Sequence, residues 1–178
     1  MRTARRPLSP AWWVSLGGLG RAMAGAATSP ISGQFRGRHI NKLDAKKRVA
    51  IPAPFRAVLR GQPLVLRRSR RHPCIEAWPA SLFEYDIPPI SPHDTWDEEA
   101  DDRIYLNISD VVDATPDAEG RVVMDETLLR HAGIRDMVAF LGKNQIFEMW
   151  EPEAAERMIE QAAAREMARA AARRAAAS

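Results

Sequence analysis

The chain has 178 residues, 46% of them hydrophobic and 28% charged, with a net charge of +3. That length allows one ordinary domain or two very small ones, and the composition specifies a packed core. Its single cysteine, Cys74, excludes an intrachain disulfide, and no apolar run approaches the roughly 20 residues of a membrane span, so neither a membrane nor a disulfide framework is expected.

Charge is unevenly placed along the chain. Residues 31–81 carry twelve Lys/Arg and two acids, whereas residues 82–110 carry one arginine and nine acids. Such asymmetry implies a polyanion-binding face, or two segments that pair with each other.

Residues 1–33 begin with "MRTARRPLSPAWWVSLGGLGRAMAGAATSP", which has the outline of a secretory signal. Arg21 interrupts its apolar part, and Gly17, Gly18 and Gly20 weaken a helix there. It reads as a disordered or wrongly included extension, with Met23 as an alternative start, and takes no part in the expected fold.

The rest contains an internal repeat. "LDAKKRVAIPAPFRAVL" (43–59) and "PDAEGRVVMDETLLRHA" (116–132) align at a spacing of 73, pairing Asp44 with Asp117, Arg48 with Arg121, Val49 with Val122 and Phe55 with Leu128. Further on, "CIEAWP" (74–79) aligns with "IFEMWEP" (146–152). In each copy a D-x-x-x-R turn leads into a short β-branched run with strand character. Asp44 and Asp117 suit the turn because a carboxylate accepts local backbone N–H bonds. Gly120 tolerates positive φ at the turn exit, where the first copy has Lys47.

A short helix is expected after each of these strands. Asp125 caps the second and Gly133 ends it, while Pro52 and Pro54 start the first and Gly61 closes it. A second hairpin completes each copy. The unit is therefore strand, turn, strand, helix, strand, turn, strand, and two such units are expected to share one core. Between them, "TWDEEADDRIYLNI" reads as an acidic amphipathic helix with Trp96, Ala100, Ile104 and Ile108 on one side. Pro152 opens a long Ala/Arg/Glu helix whose end is expected to fray.

The stretches "FRGRHINKLDAKKRVAIPAPFR", "DAEGRVVMDETLLRHAGI" and "LGKNQIFEMW" together resemble the MraZ family, over roughly residues 34–160. The resemblance implies an α+β, mainly β fold: tandem AbrB-like swapped-hairpin units forming an intrachain pseudo-dimer, with connecting and C-terminal helices. It implies a first, DNA-binding domain at 38–81, an acidic helical connector at 82–110, a second AbrB-like domain at 111–154 and a C-terminal helix and tail at 155–178. The implied function is a DNA-binding transcriptional regulator, cytoplasmic and nucleoid-associated. Such a regulator represses the division and cell-wall gene cluster by binding short direct repeats of double-stranded DNA as a ring-shaped homo-oligomer. The sequence departs from the family pattern in its extra N-terminal residues, in Lys47 where the first turn usually has glycine, and in its acidic connector. An AbrB-like antitoxin or transition-state type regulator is the rival reading, although such antitoxins usually carry one hairpin unit, and a ring with no DNA role is a third.

The resemblance and the charge map select the same candidate DNA-binding residues: Arg36, Arg38, Lys42, Lys46, Lys47 and Arg48, with Asp44 alone among them as a turn-former. Lys46 and Lys47 are assigned to phosphates as point charges. Arg48 either grips a base edge or braces the loop through Asp44. Arg121 lies beside Asp117 and Glu119 and reads as structural or as an oligomer contact. Arg67, Arg68, Arg70 and Arg71 either touch phosphates or form a solvated hairpin tip. His39, His93 and His131 lack metal-ligand spacing, and no phosphate loop or nucleophile elbow is present, so no enzyme, metal or cofactor is expected.

Overall fold

The computed structural model describes residues 33–86 and 104–177, together with the isolated positions Glu98 and Asp102. The expected N-terminal extension, and Trp96 and Ala100 of the expected connector helix, lie outside the described residues.

The first copy folds as β1 (Arg38–Lys42), β2 (Arg48–Ala50), α1 (Ala53–Leu59), β3 (Leu64–Arg68) and β4 (Ile75–Pro79). Helix α2 (Ala80–Asp86) follows at once. The second copy folds as β5 (Val111–Ala114), β6 (Arg121–Val123), α3 (Glu126–Ala132), β7 (Met137–Lys143) and β8 (Ile146–Trp150), followed by α4 (Pro152–Ala176). The architecture is α+β, with antiparallel strands and a long C-terminal helix.

The strands do not pair within their own copies alone. The larger sheet runs β1-β7-β8-β4-β3-β5, and β2 pairs with β6 in a separate two-stranded ribbon. Thus β1 of the first copy forms an edge against β7 of the second, and β5 of the second forms the opposite edge against β3 of the first. Each copy surrenders its leading strand to the other. The core is accordingly shared. Val49, Ile51 and Phe55 from the first copy and Val122, Met124 and Leu128 from the second are all buried in one cluster. Phe35, Phe55 and Phe147 meet there with ring centroids 5.1–5.4 Å apart. Burying rings of this size supplies about 3–5 kcal/mol each, judged by truncation to alanine.

The local chemistry accounts for the helix ends. Asp125 Oδ1 accepts from the Thr127 and Leu128 N–H groups, and Gly133 closes α3 at φ 67°. Helix α1 starts behind Pro52 and has no side-chain cap; Arg60, at φ 51°, closes it one residue before the expected Gly61. Glu151 caps α4 through the Glu153 and Ala154 N–H groups.

The outer face of the sheet is covered in two places. Ala154, Ala155 and Met158 of α4 pack against Ala139, Leu141, Trp150 and Cys74. On the other side Phe83 of α2 meets Trp78 edge-on at 6.2 Å. Between them Glu76 and Glu148 face each other across β4 and β8. Each accepts from the indole two residues on, Trp78 at 3.2 Å and Trp150 at 3.1 Å, and each holds its own cation, Arg67 at 2.9 Å and Lys143 at 2.6 Å. Cys74 is buried beside them, and that burial, with the Glu148 charge, pushes its thiol up to about 12.

Three elements add detail to the expected order. Helix α2 spans the expected boundary between the first domain and its connector, because Ala80–Phe83 continues from β4 to bury Phe83. Ile108 is 49% exposed and Tyr105–Ser109 forms a short π-type turn, so Ile104 and Ile108 do not share a buried helix face. The C-terminal helix runs unbroken to Ala176, since its alanine-rich composition carries high helix propensity.

Because β1 to β4 all take partners from the second copy, a fragment covering residues 33–86 alone is expected to show no cooperative urea transition. Mixing it with a fragment covering residues 104–177 should restore one, followed by circular dichroism. Independent folding of the first fragment would contradict the shared core.

Candidate nucleic-acid interface

The two D-x-x-x-R turns have nearly the same backbone. Asp44 N–H donates to Arg48 O at 2.9 Å and Lys47 N–H to Asp44 O at 3.0 Å; Asp117 N–H donates to Arg121 O at 2.9 Å and Gly120 N–H to Asp117 O at 2.8 Å. Within each turn the carboxylate acts as a staple. Asp44 Oδ1 accepts from Lys46 and Arg48 N–H, both at 2.8 Å, and Asp117 Oδ1 accepts from Glu119 and Arg121 N–H at 3.0 and 2.8 Å. The second oxygen of each takes the arginine Nε, at 2.8 Å for Arg48 and 2.9 Å for Arg121. The backbone N–H of Arg48, then its guanidinium and the Lys46 N–H, hold the Asp44 carboxyl below its ordinary 3.8. Asp117 is lowered in the same way by the Arg121 N–H and guanidinium.

The turns are also tied to each other. Met124 N–H donates to Lys47 O and Ile51 N–H to Gly120 O, both at 2.8 Å. This reciprocal pair continues the β2–β6 ribbon and fixes both turn exits.

The charges differ around this common frame. Lys46 stands where the second turn has Glu119, and Lys47 where it has Gly120. Lys46 and Lys47 are exposed. Arg121 is held by Glu119 at 2.5 Å as well as by Asp117, so the second turn is neutralised by its own acids. Lys47 adopts φ 59°, a left-handed conformation that costs an L-residue about 1–2 kcal/mol.

A side chain absent from the sequence reading explains why the second turn keeps glycine. Arg56 of α1 lies across Gly120 and donates from Nη1 to Glu119 O at 3.0 Å. A Cβ on Gly120 would collide with Arg56 Cδ and lie 2.7 Å from its Nη1. The position equivalent to Arg56 in the second copy is Leu129, which lines the space beside Lys47 without filling it. A side chain at Gly120 would therefore have to displace the end of Arg56 as well as adopt φ 76°, whereas Leu129 on the other side leaves room for Lys47.

The remaining candidates are placed as follows. Lys42 ends β1 beside the first turn and is exposed. Arg38 begins β1, at the end remote from the turn, and pairs with Glu156 of α4 at 3.0 Å. Arg36 precedes β1 and bonds Gln34. The six cations thus separate into Lys42, Lys46, Lys47 and Arg48 at the turn, and Arg36 and Arg38 away from it. In the second cluster Arg67 pairs with Glu76 and lies 4.6 Å over the Trp78 ring, and Arg68 makes two 2.7 Å bonds to Asp110. Arg70 and Arg71 are exposed in the loop that follows.

The fold and its turns define a two-copy α+β chain in which one turn is cationic and its twin is self-neutralised. The family model described as "MraZ protein, putative antitoxin-like" matches residues 109–177. Similar curated proteins are named transcriptional regulator MraZ. That of Gluconacetobacter diazotrophicus is 43% identical over 129 residues, covering 69% of this chain and 82% of the relative. Those of Gluconobacter oxydans and Rickettsia canadensis are 42% and 36% identical, covering 77% and 88% of the respective relatives. The chain belongs to the MraZ family. No helix among the described residues is long and apolar enough to cross a membrane, and those residues hold no cluster of three or more metal-ligating side chains.

The Arg56 contact predicts asymmetric mutational effects. Gly120→Lys should destabilise by about 2 kcal/mol, whereas Lys47→Gly should change stability by less than about 1 kcal/mol, because relief of strain and gain of chain entropy oppose. Arg56→Leu in the Gly120→Lys background should recover part of the loss in a urea double-mutant cycle; strict additivity would contradict the account. A second prediction concerns acid. Both turn carboxyls titrate lower in the folded protein than unfolded, so their stabilisation is present above 3.8 and is lost as pH falls through the folded values. Urea midpoints measured from about pH 5 down to about pH 2 should fall less steeply for Asp44→Asn than for the parent protein.

Proposed function

We propose that this protein is a sequence-specific DNA-binding transcriptional regulator. In this reading it assembles as a ring-shaped homo-oligomer on short direct repeats in the promoter of the division and cell-wall gene cluster, which it represses. The two copies are AbrB-like swapped-hairpin units, and the first carries the cationic turn that meets DNA. The protein works in the cytoplasm at the nucleoid, with no cofactor and no catalytic role. The names of its relatives support the regulatory part of this reading.

One observation carries the DNA part: two turns of matched backbone differ in that the first bears Lys46 and Lys47, exposed, where the second bears Glu119 and Gly120. Folding does not require the lysines, since the twin turn closes without them. Lys47 even adopts a strained conformation. Surplus charge on a stiff turn suits a phosphate backbone, where each neutralised phosphate releases counterions. Arg48 is anchored by Asp44 through Nε, which leaves the outer guanidinium nitrogens to face a base edge or phosphate.

Direct binding tests this. A labelled duplex carrying the promoter repeats should bind more tightly than a scrambled duplex, and affinity should fall steeply as salt rises. Lys46→Ala with Lys47→Ala should weaken both duplexes alike and reduce the slope of log affinity against log salt by about two. Affinity indifferent to salt would dispose of the reading.

A further inference from the structure

The first turn is enclosed by chain from the second copy. Met124 N–H binds Lys47 O on one side, and Leu43 N–H binds Asp136 O on the other, each at 2.8 Å. These contacts bring α3 and the loop after it alongside the lysines. A cavity of about 270 Å³ opens there, lined by Lys47, Glu126, Leu129, Arg130, Ile134 and Arg135 among others. Arg130 and Arg135 are exposed, and neither has an ion-pair partner among the described residues. Among the described residues Glu126 is the one acid lining the cavity, and Asp136 follows Arg135 on the way into β7.

The twin site provides an internal control. Moving each position by 73, Arg130 becomes Ala57, Arg135 becomes Gln62, Lys42 becomes Thr115, Lys46 becomes Glu119 and Lys47 becomes Gly120. Each of these five cations is thus replaced by a neutral or acidic residue at the other turn. Lys47, Arg130 and Arg135 come from both copies and line one cavity because the β2–β6 crossing and the β1–β7 pairing hold the copies together there. The twin site has the same backbone with Arg56, the counterpart of Leu129, as its added cation and none of these five, so the fold does not need them. Grouped like charges repel unless an anion lies over them.

We propose that Arg130 and Arg135 complete the DNA-binding surface, gripping the sugar–phosphate backbone beside Lys47, so that one DNA site is built from both halves of the chain. The inference rests on the DNA reading above. Arginine suits the role because its guanidinium offers paired donors to phosphate oxygens. The cavity between Lys47 and the two arginines is concave and open, as a backbone contact requires.

The test uses the full-length protein and the labelled promoter duplex, with binding followed by fluorescence anisotropy across a potassium chloride series. Arg130→Gln with Arg135→Gln should weaken binding about tenfold or more at moderate salt and lower the salt slope by about two. Arg130→Lys with Arg135→Lys should keep most of the slope, because the charges remain. Circular dichroism and a thermal melt report whether the glutamine variant is folded; if it is not, Arg135→Gln alone should lower the slope by about one. If the glutamine variants bind as the parent does while Lys46→Ala with Lys47→Ala loses binding, the contribution of the second copy is refuted and the DNA reading survives. If the parent protein shows no salt-dependent binding, both fall together.

Discussion

Two backbone hydrogen bonds, Ile51 N–H to Gly120 O and Met124 N–H to Lys47 O, hold the two halves at the point where their chains cross. The β2–β6 ribbon is the continuation of that crossing, with Val49 opposite Val122. Because both residues point into the core, the crossing also sets where α1 and α3 begin and which faces they bury. Neither half has a complete sheet of its own, since β1 and β5 are each laid against the other half. The exchange turns two small units, each short of apolar surface, into one cluster containing most of the large buried side chains.

On this frame the halves have specialised by small means. The Asp staple and its arginine are kept in both turns, because they satisfy the turn's own N–H groups. What changes is the residue on the outside of the staple and the helix residue behind it. Arg56 with Gly120, and Leu129 with Lys47, are two alternative solutions of one packing problem. The first occupies the space from the helix side, and the second leaves it for a side chain of the turn. Charge on the turn is thus coupled to the identity of a helix residue more than 60 positions away.

Much of this was legible in the sequence. The 73-residue spacing exposed the repeat, and the D-x-x-x-R turns, the Asp125 cap, the Gly133 stop and the order of elements could all be read from local chemistry. The strained Lys47 was legible because its equivalent is glycine. Pairings between distant segments were not legible. Arg68 looked like part of a basic tip, yet its guanidinium is committed to Asp110, an acid assigned to the connector. Arg38 looked like part of the turn cluster, but a five-residue strand carries it to the far end and to Glu156. Conversely, Arg130 and Arg135 sit in an acidic part of the chain, and the pairing of the two halves places them next to Lys47. Charge counted along the chain misses both kinds of event, because ion pairs and patches are properties of the assembled surface.

The Arg56–Gly120 contact also decides which half can pair with which. If two copies of the first half tried to form the same crossing, each Arg56 would face a Lys47 where it now faces Gly120, and each would have to swing off the turn. If two copies of the second half did so, each Leu129 would face a glycine, leaving a gap where Lys47 or Arg56 now supplies contact. Only the mixed pairing is free of both defects. The mixed pairing keeps Arg56 on the Glu119 carbonyl beside a residue with no side chain, so in this contact each half is matched to the other and not to itself.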